Sequence, residues 1–303
     1  MGPRDLSRSF LAVVSAGLLT AACAGPGVPV PSRDGPASTR FSVQWHAYIG
    51  SQVGVAVHPE VAFIDYVAVG GELPEPRLSE VFLAGAGGAV AASVETVGIG
   101  HDDDAYRAVN VLLRVDGLPV GIHHWDTLRY RDAGGVQREI AIGAWTVEIV
   151  ARGNAGLTVL EASAGASQFR TFHERIQNDL DQPVTVEGLR FELPGLNVRA
   201  AMRAEQSAGP VETGRPIPTS SSAPATEVII GAGDARDLAF DFVGAPADSF
   251  VILQPFLRYA TPDGQRHEFA LPPQRYAPGF DGPGDLVAYL ETLPAAASHP
   301  LTD

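Results

Sequence analysis

The sequence predicts an all-β chain of two sandwich-type domains in tandem, and three observations carry that prediction. From Phe41 onward, short runs rich in Val, Ile, Phe, Tyr and Trp alternate with polar positions and are broken by Gly, Pro, Asp and Asn. That is the period-2 pattern of half-buried strands. Long helical periodicity is nearly absent, and the best helical candidate, Asp285 to Leu293 with Asp285 as its cap, is short. The chain also repeats itself at about a domain length, the spacing of duplicated domains and not of a solenoid.

Residues 1–22 come first. Arg4 and Arg8 precede an almost uninterrupted apolar or small stretch from Phe10 to Ala22, the charged-then-apolar order of a secretory signal, too short to anchor comfortably across a bilayer. Its end, Leu19, Ala21 and Ala22 followed by the lone Cys23, resembles the lipobox of bacterial lipoproteins, from which Thr20 departs. The resemblance implies a diacylglyceryl group on the Cys23 thiol, cleavage just before that residue, and palmitate-type acyl chains holding the protein to a membrane. Each buried methylene contributes about 0.8 kcal/mol, so two or three chains anchor stably. The alternative is an ordinary cut after Ala24, which discards the thiol. Residues 23–40 are Pro, Gly and Ser with scarcely a large apolar side chain, and form a semi-extended tether.

Residues 41–153 and 166–293 then form the two domains, with 294–303 as a C-terminal tail. Val109 to Val115 and Trp145 to Val150 are clear strands of the first. Leu128-Arg129-Tyr130, Gly135 and Gln137-Arg138-Glu139 recur as Leu257-Arg258-Tyr259, Gly264 and Gln265-Arg266 with Glu268. Val97 to Gly100, running into an acidic loop, is echoed by Ile229 to Gly231. Pro59 to Val67 is similar to Pro183 to Leu189, and Glu72-Leu73-Pro74 to Glu192-Leu193-Pro194. About seven short strands per copy, with turns every 8 to 12 residues or so and no disulfide, resemble a Greek-key, immunoglobulin-like β-sandwich. Ile176 to Phe191 is expected to be the opening hairpin of the second copy, turning at Asn178, Asp179 and Pro183.

Charge and missing residue types bound the function. At 303 residues with a formal net charge of −14, the chain lacks the basic face that phosphate neutralisation needs, so no nucleic-acid partner is expected. An acidic surface is also repelled by anionic lipid heads, so membrane contact must come from the acyl chains. All 21 fixed cations are arginine. Without lysine there is no Schiff base, phosphate-loop lysine or Ser-x-x-Lys pair. With Cys23 acylated or removed, thiol catalysis and cysteine zinc sites go as well. No cofactor is expected.

The candidate sites are few. His101, Asp102 and Asp104, with Asp103, form an acidic loop that could hold calcium, a hard cation taking many oxygen ligands, or could be a solvated connection between strands. His123-His124-Trp125-Asp126 leads into a strand, where neighbours face opposite sides and the two histidines cannot share a metal. His173-Glu174 lacks the second histidine of a zinc-protease helix, that place being Gln177. Arg129 with Tyr130, and Arg258 with Tyr259, could bind a carboxylate or sugar through the arginine fork and the phenol. The competing reading gives each arginine a neighbouring carboxylate and each tyrosine a place in the core. The expected function is non-enzymatic: a lipid-anchored envelope protein on the extracytoplasmic side, docking an envelope protein or surface ligand. The alternatives are a calcium- or metal-dependent binder using 101–104, and an envelope hydrolase with a dispersed triad.

Overall fold

The computed structural model describes residues 38–67, 73, 76–102, 106–153, 156–162, 169–204, 227–246, 249–278 and 283–301. The expected signal segment, Cys23, and all of the tether before Ser38 lie outside them. In chain order the first body contains β1 (Ser38–Ser42), β2 (Trp45–Gln52), β3 (Glu60–Val67), β4 (Ser79–Gly85), β5 (Gly88–Asp102), β6 (Tyr106–Arg114), β7 (Gly121–Arg131) and β8 (Gln137–Val150). The second contains β9 (Leu157–Ala162), β10 (Thr171–Asn178), β11 (Val184–Arg190), β12 (Arg199–Ala204), β13 (Val228–Ile230) and β14 (Ala235–Val243). There follow β15 (Phe250–Gln254), β16 (Phe256–Ala260), β17 (Arg266–Ala270), β18 (Gln274–Tyr276), helix α1 (Pro283–Thr292) and β19 (Ser298–Pro300).

Alternation in the sequence becomes the inside and outside of each strand. Along β7, Trp125, Leu128 and Tyr130 are buried while Asp126 and Arg129 are exposed. Trp125 and Leu128 are three apart yet share a face because a bulge between Trp125 and Thr127 resets the phase. β5 is long enough to serve two layers. Its Gly88–Ala92 segment pairs with β4 and its Ser93–Asp102 segment with β6. The sheet therefore folds over at β5, placing β5-β6-β3-β1 across from β4-β7-β8. This four-over-three strand order is that of an immunoglobulin-like sandwich, with β2 added in parallel to β8. The second body repeats it with one more strand, β13, at the edge: β12-β14-β10-β9 lies across from β13-β11-β16-β17.

The two internal matches centred on Arg129 and Arg258 occupy equivalent places in their hairpins. Arg129 stands opposite Glu139 in the β7–β8 hairpin, and Arg258 opposite Glu268 in the β16–β17 hairpin. Each closes on a glycine of positive φ, Gly135 at 77° and Gly264 at 82°. The segments Val97 to Gly100 and Ile229 to Gly231 do not correspond: the first lies in β5, which pairs with β6, and the second ends β13, which pairs with β11 in the opposite layer. Pro59–Val67 and Pro183–Leu189 do not correspond: the first covers β3 in the outer layer, the second β11 in the other. The expected hairpin over Ile176–Phe191 is also overturned. β10 pairs with β9 and β14, β11 with β13 and β16, so the turn is an arch between layers. The buried Asn178 fixes this arch by donating to the carbonyls of Gln182, Ile230 and Gly231, tying the turn to the end of β13.

The bodies are fused, not strung. β15 pairs in parallel with β2, and β18 pairs with β15, so the base of the second body's last hairpin extends the first body's sheet. Pro255 and the Pro272-Pro273 pair stand where that hairpin passes from one sheet to the other, since proline interrupts a ladder. β15 is buried on both faces: Phe250 and Ile252 enter the first core, Val251 and Leu253 the second. β2 is shared in the same way, with Trp45, Ala47 and Ile49 on one side and Tyr48 on the other. A parallel, doubly covered strand reads as a continuous apolar run, as Phe250-Val251-Ile252-Leu253 does. Gly50 lets the bodies close, because a Cβ there would lie 2.6 Å from the buried Phe256 ring. Gly50→Val is expected to cost about 1–3 kcal/mol through forced repacking, read as a lowered denaturation midpoint. An unchanged midpoint would show that the bodies are not tightly apposed there.

The expected boundaries at 293 and 294–303 shift accordingly. Leu286 and Leu290 of α1 belong to the first core, and the Tyr289 ring packs tilted against Phe250 with centroids 5.1 Å apart. The last residues are no tail: β19 pairs with β1, and the Leu301 amide donates to the Ser38 carbonyl at 2.9 Å. Between the layers of this body lies a buried polar cluster. Asp65 accepts from Arg40 at 2.6 and 2.8 Å and from Arg107 at 3.3 Å. The Tyr130 hydroxyl lies 3.5 Å from Arg40 and 2.6 Å from His299 Nε2. His299 Nδ1 is 2.9 Å from the Pro300 carbonyl, so the proton sits on Nδ1 and Nε2 accepts from the phenol. Burial holds the His299 imidazole below its ordinary pKa, keeping it neutral. Burial works against the Arg40 charge, but Asp65 outweighs it and keeps that pKa above its usual value.

Candidate binding groove at the junction of the two bodies

Where the first body's sheet meets the outer face of β11, β16 and β17, the surface opens into a groove of about 680 Å³. β8 ends here, and its exit, Val150 to Gly153, forms one wall; Arg258, Arg266 and His267 stand on the other. Period-2 alternation explains the polar side. Strand neighbours of the buried Leu257 and Tyr259 must point away from the second core, and Arg258 is the residue between them.

The floor is an ion network. Arg190, carried outward by a bulge between Val186 and Gly188, donates to Glu268 at 2.5 and 2.7 Å and to Glu148 at 2.6 Å. Its guanidinium lies 4.7 Å from the centroid of the Phe256 ring, which backs the charge with an aromatic face. Tyr48 donates to the same Glu148 oxygen at 2.6 Å. Tyr48 and Glu148 come from the first body and Arg190 and Glu268 from the second, so the network also clamps the junction. Burial would raise the Glu148 pKa, but the hydrogen bonds from Arg190 and Tyr48 outweigh it and hold the carboxyl below its usual range. Burial, with the Glu148 bond, pushes the Tyr48 phenol well above its ordinary value. At the rim Arg266 pairs with Glu187 at 3.0 Å. A second hollow of about 490 Å³ lies between Gln44, His46, Asp126 and Thr127, where His46 already donates to the Pro194 carbonyl at 2.8 Å.

The four residues picked out by the repeat separate. Arg129 is exposed and pairs with Glu139 at 2.8 Å, while Tyr130 is fully buried. Tyr259 is buried with its ring stacked on His267, centroids 5.2 Å apart, and Arg258 faces the groove. Fork and phenol therefore point to opposite sides of each strand, and neither pair can grip one ligand together. Of the acidic loop, His101 and Asp102 are the last two positions of β5, with side chains outside the description, and Asp104 lies outside the described residues altogether. Among the described residues no group of three or more His, Cys, Asp or Glu is placed to hold a metal ion. His123 and His124 each find their own partner, the Pro119 carbonyl at 3.0 Å and Thr146 at 3.3 Å. Arg190 and Glu148 escape sequence reasoning because the two meet only through the fused sheet.

His173-Glu174 lies on β10, a strand, as its sequence suggests. Glu174 faces the second core, accepts from Gln274 at 2.8 Å, and has a second carboxyl oxygen buried without a partner. Burial pushes its pKa up to about 8. A folded pKa above the unfolded value means the folded state keeps a proton the unfolded state releases. Stability is then fullest below about pH 4.5, falls as pH rises through that window, and levels off above about 8. Glu174→Gln, which keeps the shape and needs no proton, is expected to raise the melting temperature at pH 8 and leave it unchanged at pH 4.5. An equal shift at both pH values would rule out titration of this carboxyl as the cause.

No protein-family model matches the chain, and no curated protein matches it. Among solved structures, Salmonella α2-macroglobulin reacted with methylamine is 14% identical over 87% of this chain, with a TM-score of 0.25; the chain spans 16% of its length. The FdeC adhesin of Escherichia coli is 13% identical, covering 84% of this chain and 67% of that one, with a TM-score of 0.18. The fibronectin(III)-like modules of Clostridium thermocellum CbhA are 7% identical over 78% of this chain and 91% of theirs, also with a TM-score of 0.18. With likenesses this loose, the fold assignment rests on the strand order within the sheets. Among the described residues no helix is long and apolar enough to cross a membrane.

Proposed function

We propose that this is a lipid-anchored protein of the cell envelope whose two fused sandwiches act as a stiff, non-enzymatic binding or scaffold body. The observation that carries the reading is the shared sheet: β15 lies beside β2 with a face in each core, which suits a body that holds surfaces at a fixed angle. The groove's polar groups favour holding over reacting, since Glu148, Arg190 and Glu268 are spent on one another. Anchoring at Cys23 rests on the lipobox resemblance, and the extracytoplasmic location follows from it. Two measurements test the proposal. Mass spectrometry of the membrane-extracted chain should find a mature N-terminus at Cys23 carrying acyl chains; a product beginning at Gly25 would remove the anchor. Crosslinking in intact cells should join the body reproducibly to an envelope component, and failure to recover any crosslinked species would argue against docking.

A further inference from the structure

We propose that the junction groove is a carboxylate-binding site in which Arg258 takes the acidic group of a peptide ligand, an inference that rests on the binding role above. The argument comes from comparing the two copies. In the first, Arg129 meets its cross-strand partner Glu139 at 2.8 Å. In the second, Arg258 stands in the same register opposite Glu268, but Arg190 holds both oxygens of that carboxylate. Arg190 and Arg266 have carboxylates of their own in the groove; Arg258, among the described residues, is left with none. A guanidinium offers its donors as a planar fork that fits a carboxylate at two points, so the copy has lost a partner and kept the group that binds one.

The surroundings narrow the ligand. The groove has the volume of an ordinary small-ligand site, and Val150 and Ala151 give one wall an apolar surface for a side-chain stem. Phe256 is covered by Arg190 and Tyr259 by His267, so neither offers the open aromatic face on which a sugar acid would stack. The net charge of −14 disfavours polyanions, while screening over about 8 Å at physiological ionic strength leaves room for a ligand bearing one or two carboxylates. A peptide with an acidic side chain meets these conditions.

The test uses the full chain, uniformly labelled with nitrogen-15, and three probes: acetyl-Ala-Ala-Glu-amide, its glutamine counterpart, and glucuronate. The Arg258 Nε–H resonance should shift saturably with the glutamate peptide and at least about tenfold more weakly with the glutamine peptide, the loss expected when a charge-assisted bond goes. It should shift more weakly too with glucuronate, which keeps the carboxylate but finds no open aromatic face to stack on. Arg129, at the same strand position but paired, should not move. Arg258→Gln, an exposed change that leaves the fold intact, should abolish the saturable response at the neighbouring Ala151 and His267 amides. No saturable shift, equal shifts at Arg129 and Arg258, or saturation by glucuronate alone would each overturn the proposal. An envelope crosslink obtained from a protein that shows no Arg258 response would leave the docking role standing and remove this site.

Discussion

A chain ending at Gly153, with the first body's eight strands intact in sequence, is expected not to fold. It lacks Phe250, Ile252, Leu286 and Leu290, all buried in that body's core. Each large apolar side chain contributes about 1.5–3 kcal/mol on burial, so the loss is about 6–12 kcal/mol. Whole domains are stable by about 5–15 kcal/mol, so a deficit of that size leaves little or nothing. The truncated chain would also bare Tyr48 and the edge of β2, now covered by β15. Near-UV circular dichroism should show no fixed aromatic environment in the fragment, and protease should digest it throughout. A protease-resistant core with the intact protein's tryptophan emission would show that the body is self-sufficient, as a plain tandem array would be.

The second large effect is expected from Asp65→Ala. Asp65 is fully buried and is the carboxylate that Arg40 and Arg107 both face between the layers. Removing it takes a carboxylate from two buried guanidiniums at once. Breaking a buried pair from one side costs about 3–5 kcal/mol, because the remaining charge is uncompensated. For a cooperative unit of this size that lowers the melting temperature by roughly 6–20 °C. Arg40→Met leaves Asp65 still facing Arg107 at 3.3 Å, so it should cost less than Asp65→Ala. A loss at Asp65 no greater than that of an exposed pair such as Arg129–Glu139 would mean the cluster is solvated.

The strands and the duplicated hairpins were legible because both are local. Alternation reports which face a residue takes, and Gly135 and Gly264 mark turns of the same shape. The junction was hidden because its partners lie far apart in sequence: nothing in Trp45 to Gln52 announces that Phe250 to Gln254 will lie beside it in parallel. One signal was available, the unbroken Phe250-Val251-Ile252-Leu253 run, which an alternating strand with one wet face would not carry. The match of Pro59–Val67 to Pro183–Leu189 misled for the converse reason. Any two strands with the same alternation resemble one another, whatever layer they occupy. Ser298-His299-Pro300 is too short to show periodicity, and what holds it is its pairing with β1 together with the bond between His299 and Tyr130. In the groove, Arg258 was legible as a repeated residue, but its missing partner was not, since only the bulge in β11 brings Arg190 onto Glu268.

The central claim, that two sandwiches share one sheet and stand or fall together, has a direct test in the distribution of tryptophan. All three, Trp45, Trp125 and Trp145, are buried in the first core, whereas far-ultraviolet circular dichroism reports the strands of both bodies. Thermal or urea unfolding followed by the two signals should give coincident transitions with a single midpoint. A loss of strand signal at a temperature where tryptophan emission is still native, or the reverse, would contradict the account.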